Sequence, residues 1–371
     1  MANCFLEDTA VDRSGYNKSV LGTVYLYAKY CNLKCRHCWI NPPYTRNTDV
    51  KPDEAPIGEI ISALEECRRL GMKAVKLTGG EPFTRIDIFE LLDYLKKNSI
   101  RITVETNGTL IRERQARALK DAGAYHIGVS LDGPDEETHS SLRGVTGSFD
   151  AALEGIRALK KEGLNVQVIA SLWKGNMARI KSTIVMVKAL GVNSIKINPI
   201  NYIERGGKMK EAGEVLSVKE TIDYYNELSR DLEKDGISGV IFDIPPAFHP
   251  VKDMSFGHIN TCGIFNILGI LGDGSISICG IGSTVDTLIL GRITKDKIED
   301  IWRDSAVLKE IREYVPSKLK GVCGQCMMKK YCLGKCRAEA YYTEGSLLAP
   351  LGFCQTAYNE GLFPESRLVE Y

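Results

Sequence analysis

The sequence predicts an α/β fold: a partial (βα)6 barrel of parallel strands, followed by a smaller cysteine-rich domain. Three observations carry that expectation. From residue 22 to about 200, six short β-branched apolar runs alternate with amphipathic stretches of helical period. Three cysteines, Cys31, Cys35 and Cys38, come directly after the first run. From residue 254 onward, Gly-punctuated short runs and scattered cysteines replace the βα rhythm.

The strand candidates are TVYLYAKY (23–30), AVKLTG (74–79), RITVETN (101–107), HIGVSLD (126–132), VQVIASL (166–172) and SIKINPI (194–200). Five helical stretches separate them: IGEIISALEECRRLG, DIFELLDYLKKN, RERQARALKDAG, SFDAALEGIRALKKEG and MARIKSTIVMVKALG. Several stop at Gly, as helix C-caps do. Parallel strands with right-handed crossovers gather reacting groups beyond their C-terminal ends. A further helix is expected over 217–237, and Pro245, Pro246 and Pro250 mark a connection into a second region. The expected division is an N-terminal extension (1–21), a barrel (22–237), a linker (238–254) and a C-terminal domain (255–371).

Composition excludes several functions. With 48 Lys and Arg against 47 Asp and Glu, the chain has no cationic surplus for nucleic acid or an anionic membrane. It has no apolar run of about 18 residues, and MANCFLEDTAVDRSG lacks the basic start of a signal peptide. A cytoplasmic protein is expected. In that reducing compartment its 12 cysteines, clustered at 31–38 and 262–354, point to metal rather than to disulfides. Cys4 and Cys67 stand apart and read as ordinary thiols.

Three thiolates on one tight loop can hold a [4Fe–4S] cube by three corners and leave the fourth iron open. Zinc would want a fourth protein ligand, which C-x3-C-x2-C supplies only if His37 joins. With this loop after strand one, GGEP after strand two, ETNG after strand three and SLDGP after strand four, the chain resembles the radical S-adenosylmethionine (SAM) enzymes. The resemblance implies a TIM-like partial barrel whose open iron is occupied by the amino and carboxylate groups of SAM. It also implies that an electron from the cluster splits the sulfonium to give a 5′-deoxyadenosyl radical. Carried over residue by residue, it assigns Gly79, Gly80, Glu81 and Pro82 to the SAM amino group, Asn107 to the cofactor pocket and Ser130 to the ribose. Arg143 would pair with the methionine carboxylate, a match an Arg fork suits. Where the family usually has an aromatic residue against adenine, this chain has His37, and neither His37 nor Trp39 receives a role.

The C-terminal pattern is Cys262, Gly274, Cys279, then Cys323-x2-Cys326-x5-Cys332-x3-Cys336, then Cys354. A pair of structural zinc knuckles is the plain alternative. The pattern resembles the Fe–S binding SPASM extension, which implies two auxiliary [4Fe–4S] clusters, three clusters in all. The resemblance gives Cys323, Cys326, Cys332 and Cys354 to a distal cluster and Cys262, Cys279 and Cys336 to a proximal one. The proximal set is one ligand short, so either an open iron faces substrate or Asp253 or His258 closes it. Sulfatase-maturating relatives carry an Asp directly after the second proximal cysteine, where this chain has Gly280, which disfavours formylglycine formation.

The implied enzyme abstracts hydrogen from a substrate, with a reductant such as ferredoxin or flavodoxin, and its catalytic acid or base is not identified. A ribosomally made peptide is the first expectation, modified by crosslinking, thioether formation or epimerisation. Because 22 residues precede strand one, its leader is expected to need a separate recognition protein or the barrel rim. A tetrapyrrole or sugar oxidoreductase is the alternative, and a noncatalytic Fe–S electron carrier the remote one. Tyr202, Arg205, Asp243 and His249 lie in loops that could face the cleft, and each reads as structural or solvated.

Overall fold

The computed structural model describes residues 20–251 and 261–369, so Cys4, Asp253 and His258 lie outside the described residues. Ten strands form one sheet: β1 (Thr23–Ala28), β2 (Ala74–Gly79), β3 (Arg101–Thr106), β4 (Ala124–Ser130), β5 (Val166–Leu172), β6 (Ser194–Pro199), β7 (Val240–Phe242), β8 (Ile267–Ile270), β9 (Ser275–Ser277) and β10 (Ile289–Arg292). Their order is β10-β9-β8-β1-β2-β3-β4-β5-β6-β7. Strands β1 to β7 run parallel in sequence order, and β8 adds a parallel neighbour on the free side of β1. The β8–β9–β10 part is an antiparallel meander.

The six expected strands are present, and the α/β partial barrel is the fold. Helices α1 (Ile57–Arg69), α2 (Ile88–Lys97), α3 (Glu113–Asp121), α4 (Glu136–Arg143), α5 (Ser148–Lys161) and α6 (Ile180–Ala189) follow the strands, then α7 (Arg205–Glu211) and α8 (Val218–Lys234). Two of these, α4 and α7, are additional to the helices expected from sequence. The segment forming α4, EETHSSLR, is almost wholly polar, so its helix depends on end signals: Asp135 accepts from Thr138 N at 2.9 Å, and Gly144 caps it at φ 72°. Residues 240–242, within the stretch expected to link the domains, form a seventh strand.

Alternation within the strands separates two faces. Val24, Leu26, Val75, Leu77, Ile102, Val104, Ile127, Val129, Ile195 and Ile197 are buried in one core with Leu64, Leu92, Leu119, Ile156 and Ile184 of the helices. The opposite, inner face carries Tyr25, Lys76, Glu105, His126 and Lys196, none of them fully buried. Sheets covered on both faces normally read as continuous apolar runs, so a polar inner face marks a chamber rather than a packed core. In the C-terminal part, helix Ile298–Asp304 packs beside α1, with Trp302 buried and Ile298 N donating to Glu66 at 3.1 Å. No helix among the described residues is long and apolar enough to cross a membrane.

Candidate iron–sulfur and cofactor site

The three-cysteine loop leaves the end of β1 and is held from two sides. Cys31 bridges to Tyr44, with Cys31 N donating to Pro43 O at 3.0 Å and Thr45 N to Cys31 O at 2.8 Å. On the other side, Lys34 N donates to Arg143 O at 3.1 Å and Arg36 N to Leu142 O at 2.8 Å. The C-terminal carbonyls of α4, left over by the helix, are thus taken up by the loop. A side chain at Gly144 would place its Cβ 2.6 Å from Lys34 O, so the close approach needs glycine as much as the left-handed turn does.

The thiols of Cys31 and Cys35 are buried, and that of Cys38 is partly exposed. Cys31 Sγ accepts from Leu33 N at 3.4 Å and Asn107 Nδ2 at 3.8 Å; Cys35 Sγ accepts from Arg143 Nη1 at 3.7 Å. Burial pushes both thiols up, and the charges of the neighbouring cysteines add to the effect at each. Thiolates here therefore need added positive charge, which iron supplies. Soft thiolate donors, grouped on one loop and prepared with N–H donors, fit an iron–sulfur cluster. His37 does not complete a zinc set in this arrangement: its Nε2 lies 3.0 Å from Ser171 Oγ, while Nδ1 is buried without a partner.

The GGEP segment is pressed against this loop. Gly80 N donates to Ala28 O at 2.8 Å and Glu81 N to Tyr30 O at 2.7 Å, and a Cβ on Gly80 would stand 2.0 Å from Tyr30 O. Pro82 opens a 3-10 turn, Pro82–Thr84. Glu81 is fully buried and accepts from Thr106 Oγ1 (2.8 Å), Asn107 N (2.8 Å) and Phe83 N (3.2 Å). Burial lifts its carboxyl to about 7 against the pull of these three donors. Its carboxylate ties β2 to the end of β3 and so sets Asn107, whose Nδ2 also meets Asn32 Oδ1 at 2.8 Å. Ser130 ends β4, partly exposed.

Arg143, expected to meet a carboxylate of the cofactor, has its fork on Asp132: Nε donates to Oδ2 at 2.5 Å and Nη2 to Oδ1 at 3.0 Å. Asp132 is itself fully buried and accepts from Ser171 N at 2.8 Å. This pair leaves Nη1 for Cys35.

The C-terminal cysteines fall into two electrostatic groups. Cys336 feels Cys279 and Cys262, whereas Cys354 feels Cys323, Cys332 and Cys326. The second group lines a small cavity with Pro245, Ala247, Met328 and Phe363. Burial pushes Cys262 up to about 11 and Cys279 and Cys332 up to about 12. In the hydrogen-bonded pair of Cys354 and Cys323, Cys323 is lowered and Cys354 raised. Gly280 follows Cys279 beneath two aromatic rings, and a Cβ there would lie 2.4 Å from Tyr27 Cε1 and 2.9 Å from the Trp39 ring. An Asp at this position has no room.

Between the thiol groups lies the polar inner face of the barrel, which the sequence reading passed over. Lys76 Nζ meets Glu105 at 2.6 Å, and Asp243 is held by Lys196 Nζ at 2.8 Å and Lys335 Nζ at 2.7 Å. Tyr25 lies beside Lys76, near enough to Cys262 and Cys279 to feel their charge. The signal was present in VKLTG, TVET and SIKIN: a charged residue at the centre of strands that should be apolar throughout. Arg205 Nη1 donates to Cys35 O at 3.0 Å, Tyr202 lies under Lys210 Nζ at 4.0 Å, and His249 Nδ1 is 3.2 Å from Tyr225 OH. Cys67 is buried in α1, away from these groups.

An open parallel barrel with a thiol loop at its strand ends, a charged interior and two further thiol groups defines an α/β redox enzyme built for iron–sulfur clusters. Residues 25–187 match the model of the Radical SAM superfamily, and residues 262–327 match that of the SPASM iron–sulfur cluster-binding domain. The chain thus carries a radical SAM domain followed by a C-terminal SPASM domain, and the two domains imply SAM and [4Fe–4S] clusters as cofactors. It is 29% identical over 344 residues to the AdoMet-dependent heme synthase of Methanosarcina barkeri, covering 87% of this chain and 93% of that protein. It is 24% identical over 340 residues to the mycofactocin maturase MftC of Mycobacterium tuberculosis, covering 91% and 83%. Among solved structures, Streptococcus suis SuiB bound to its precursor peptide SuiA aligns with a TM-score of 0.71 at 19% identity, over 91% of this chain and 76% of that one. The AdoMet-bound enzyme anSMEcpe aligns with a TM-score of 0.69 at 19% identity, over 91% and 95%. At that identity the two structures speak for the fold.

Proposed function

We propose that this enzyme oxidises a carboxylated tetrapyrrole by hydrogen abstraction inside the barrel, with Cys31, Cys35 and Cys38 holding the cluster that binds SAM. The observation that carries the reading is the charged inner face, where Lys76 and Lys196 stand partly exposed and Lys76 is near enough to Cys262 to act on its charge. Lysines on this inner face, now paired with Glu105 and Asp243, are the groups that would exchange those partners for substrate carboxylates. The heme synthase relative, matched over nearly its whole length, supports a tetrapyrrole over other acids.

When bound, the cluster and SAM supply the 5′-deoxyadenosyl radical that takes the hydrogen atom. The chain's own residues supply orientation. Gly79 to Pro82 present backbone to the cofactor amino group, Asn107 and Ser130 border its pocket, and Arg143 steadies the thiol loop. We further propose two auxiliary [4Fe–4S] clusters, one on Cys262, Cys279 and Cys336 and one on Cys323, Cys326, Cys332 and Cys354. Bound on those cysteines, the clusters would supply acceptors for the electron left on the oxidised substrate. A small reductant protein of the ferredoxin or flavodoxin kind delivers the electron that starts each turnover.

The second reading, a ribosomally made peptide as substrate, is favoured by the likeness to mycofactocin maturase. Anaerobic incubation of the reconstituted enzyme with SAM, dithionite and either an iron coproporphyrin or candidate precursor peptides separates the two. The first reading predicts 5′-deoxyadenosine formation stimulated by the porphyrin, with loss of mass from its carboxylate side chains. Stimulation by a peptide alone overturns it in favour of the second.

A further inference from the structure

We infer that Arg337 is the shared countercharge of the two C-terminal clusters, so that neutralising this one side chain alters both together. The inference rests on the reading above that each C-terminal thiol group holds a cluster. Arg337 is 1% exposed, a fully buried cation. Its Nη1 donates to Leu347 O at 3.1 Å and Ala349 O at 2.6 Å, its Nη2 donates to Gly334 O, and its Nε is buried with no acceptor. None of these partners carries charge. A buried cation left without an anion costs several kcal/mol, so the surroundings must supply one.

The groups whose charge reaches the guanidinium are, in falling order, Cys323, Cys336, Cys332 and Glu339. Cys262 in turn feels Arg337. Cys336 directly precedes Arg337, and Leu351, two residues past the Ala349 carbonyl that Arg337 holds, donates its N to Cys323 Sγ at 3.4 Å, so the guanidinium lies beside a cysteine of each thiol group. Glu339 is not among the hydrogen-bond partners of the guanidinium. Clusters ligated by several thiolates are anionic overall and provide the missing charge. The position is fixed by the fold. Arg337 begins the helix Arg337–Glu344 directly after Cys336, and Gly334 makes room, since a Cβ there would stand 2.5 Å from the guanidinium carbon.

A fixed cation beside a cluster favours its reduced, more negative form and raises its potential. The test compares Arg337→Gln and Arg337→Lys in the full-length, anaerobically reconstituted protein, with circular dichroism to verify folding. Iron, sulfide and EPR-monitored redox titrations are read, the C-terminal signals being those that survive in C31A/C35A/C38A. Iron counting on the unsubstituted protein comes first: absence of iron from either C-terminal group defeats the two-cluster reading itself, before Arg337 is in question. The expected result is a negative shift of both C-terminal potentials in Arg337→Gln, or loss of both clusters, with Arg337→Lys close to the unsubstituted protein. A shift of only one signal, no shift, or equal disturbance by the lysine variant overturns the shared countercharge.

Discussion

At the scale of single residues, the site depends on buried polar groups that hold one another by hydrogen bonds. Asp132 neutralises Arg143, receives Ser171 N and lies under His139, whose Nδ1 accepts from Asp132 N at 3.1 Å. Removing one partner of a buried ion pair strands the other, so Asp132→Ala is expected to cost about 3–5 kcal/mol, measured by chemical denaturation. His139 offers a pH test. Burial lowers it to about 4, so below the ordinary histidine range the unfolded chain takes a proton that the folded chain refuses. Stability is full above about pH 6.5 and falls as pH drops toward 4, by on the order of 3 kcal/mol from this group. The pH profile of unfolding should flatten over that window in His139→Gln; an unchanged slope would assign the acid lability elsewhere. The cysteines were legible in the sequence because their spacing is local. The Asp132–Arg143 pair was not, because Arg143 could meet any carboxylate and only the fold chooses Asp132.

At the scale of elements, strands β1 to β6 were legible because apolar alternation and Gly stops are written into each short segment. Helix α4 was not, since it has too few apolar residues for a periodic signal and is defined by its caps. It nevertheless holds the cysteine loop through the Leu142 and Arg143 carbonyls. Gly144→Ala therefore combines left-handed strain of about 1–2 kcal/mol with a clash against Lys34 O. The expected readout is specific: N-terminal iron is lost while C-terminal iron stays. Gly280→Ala is the counterpart at the other group, overpacked against Tyr27 by about 1–3 kcal/mol. Its melting temperature should fall, and a Tyr27→Leu background should restore part of the loss.

At the scale of the whole molecule, the C-terminal part completes the sheet of the N-terminal one. Strand β8 pairs with β1 from Thr23↔Ile267 to Leu26↔Ile270, a partnership across more than half the chain that no local sequence signal reveals. Truncation after residue 251 should expose the edge of β1 and yield an aggregating product; a stable, monomeric truncation would show that the barrel is independent. Through this shared sheet Cys262 and Cys279 come near Tyr25 on the inner face of the barrel.

The most direct measurement is 5′-deoxyadenosine production from SAM and dithionite by unsubstituted protein and by C31A/C35A/C38A, with iron and zinc counted in both. The predicted result is product from the unsubstituted chain and none from the triple variant, which keeps its C-terminal iron. Product from the triple variant at an undiminished rate, or zinc bound by the three thiols of the unsubstituted chain, would contradict the account.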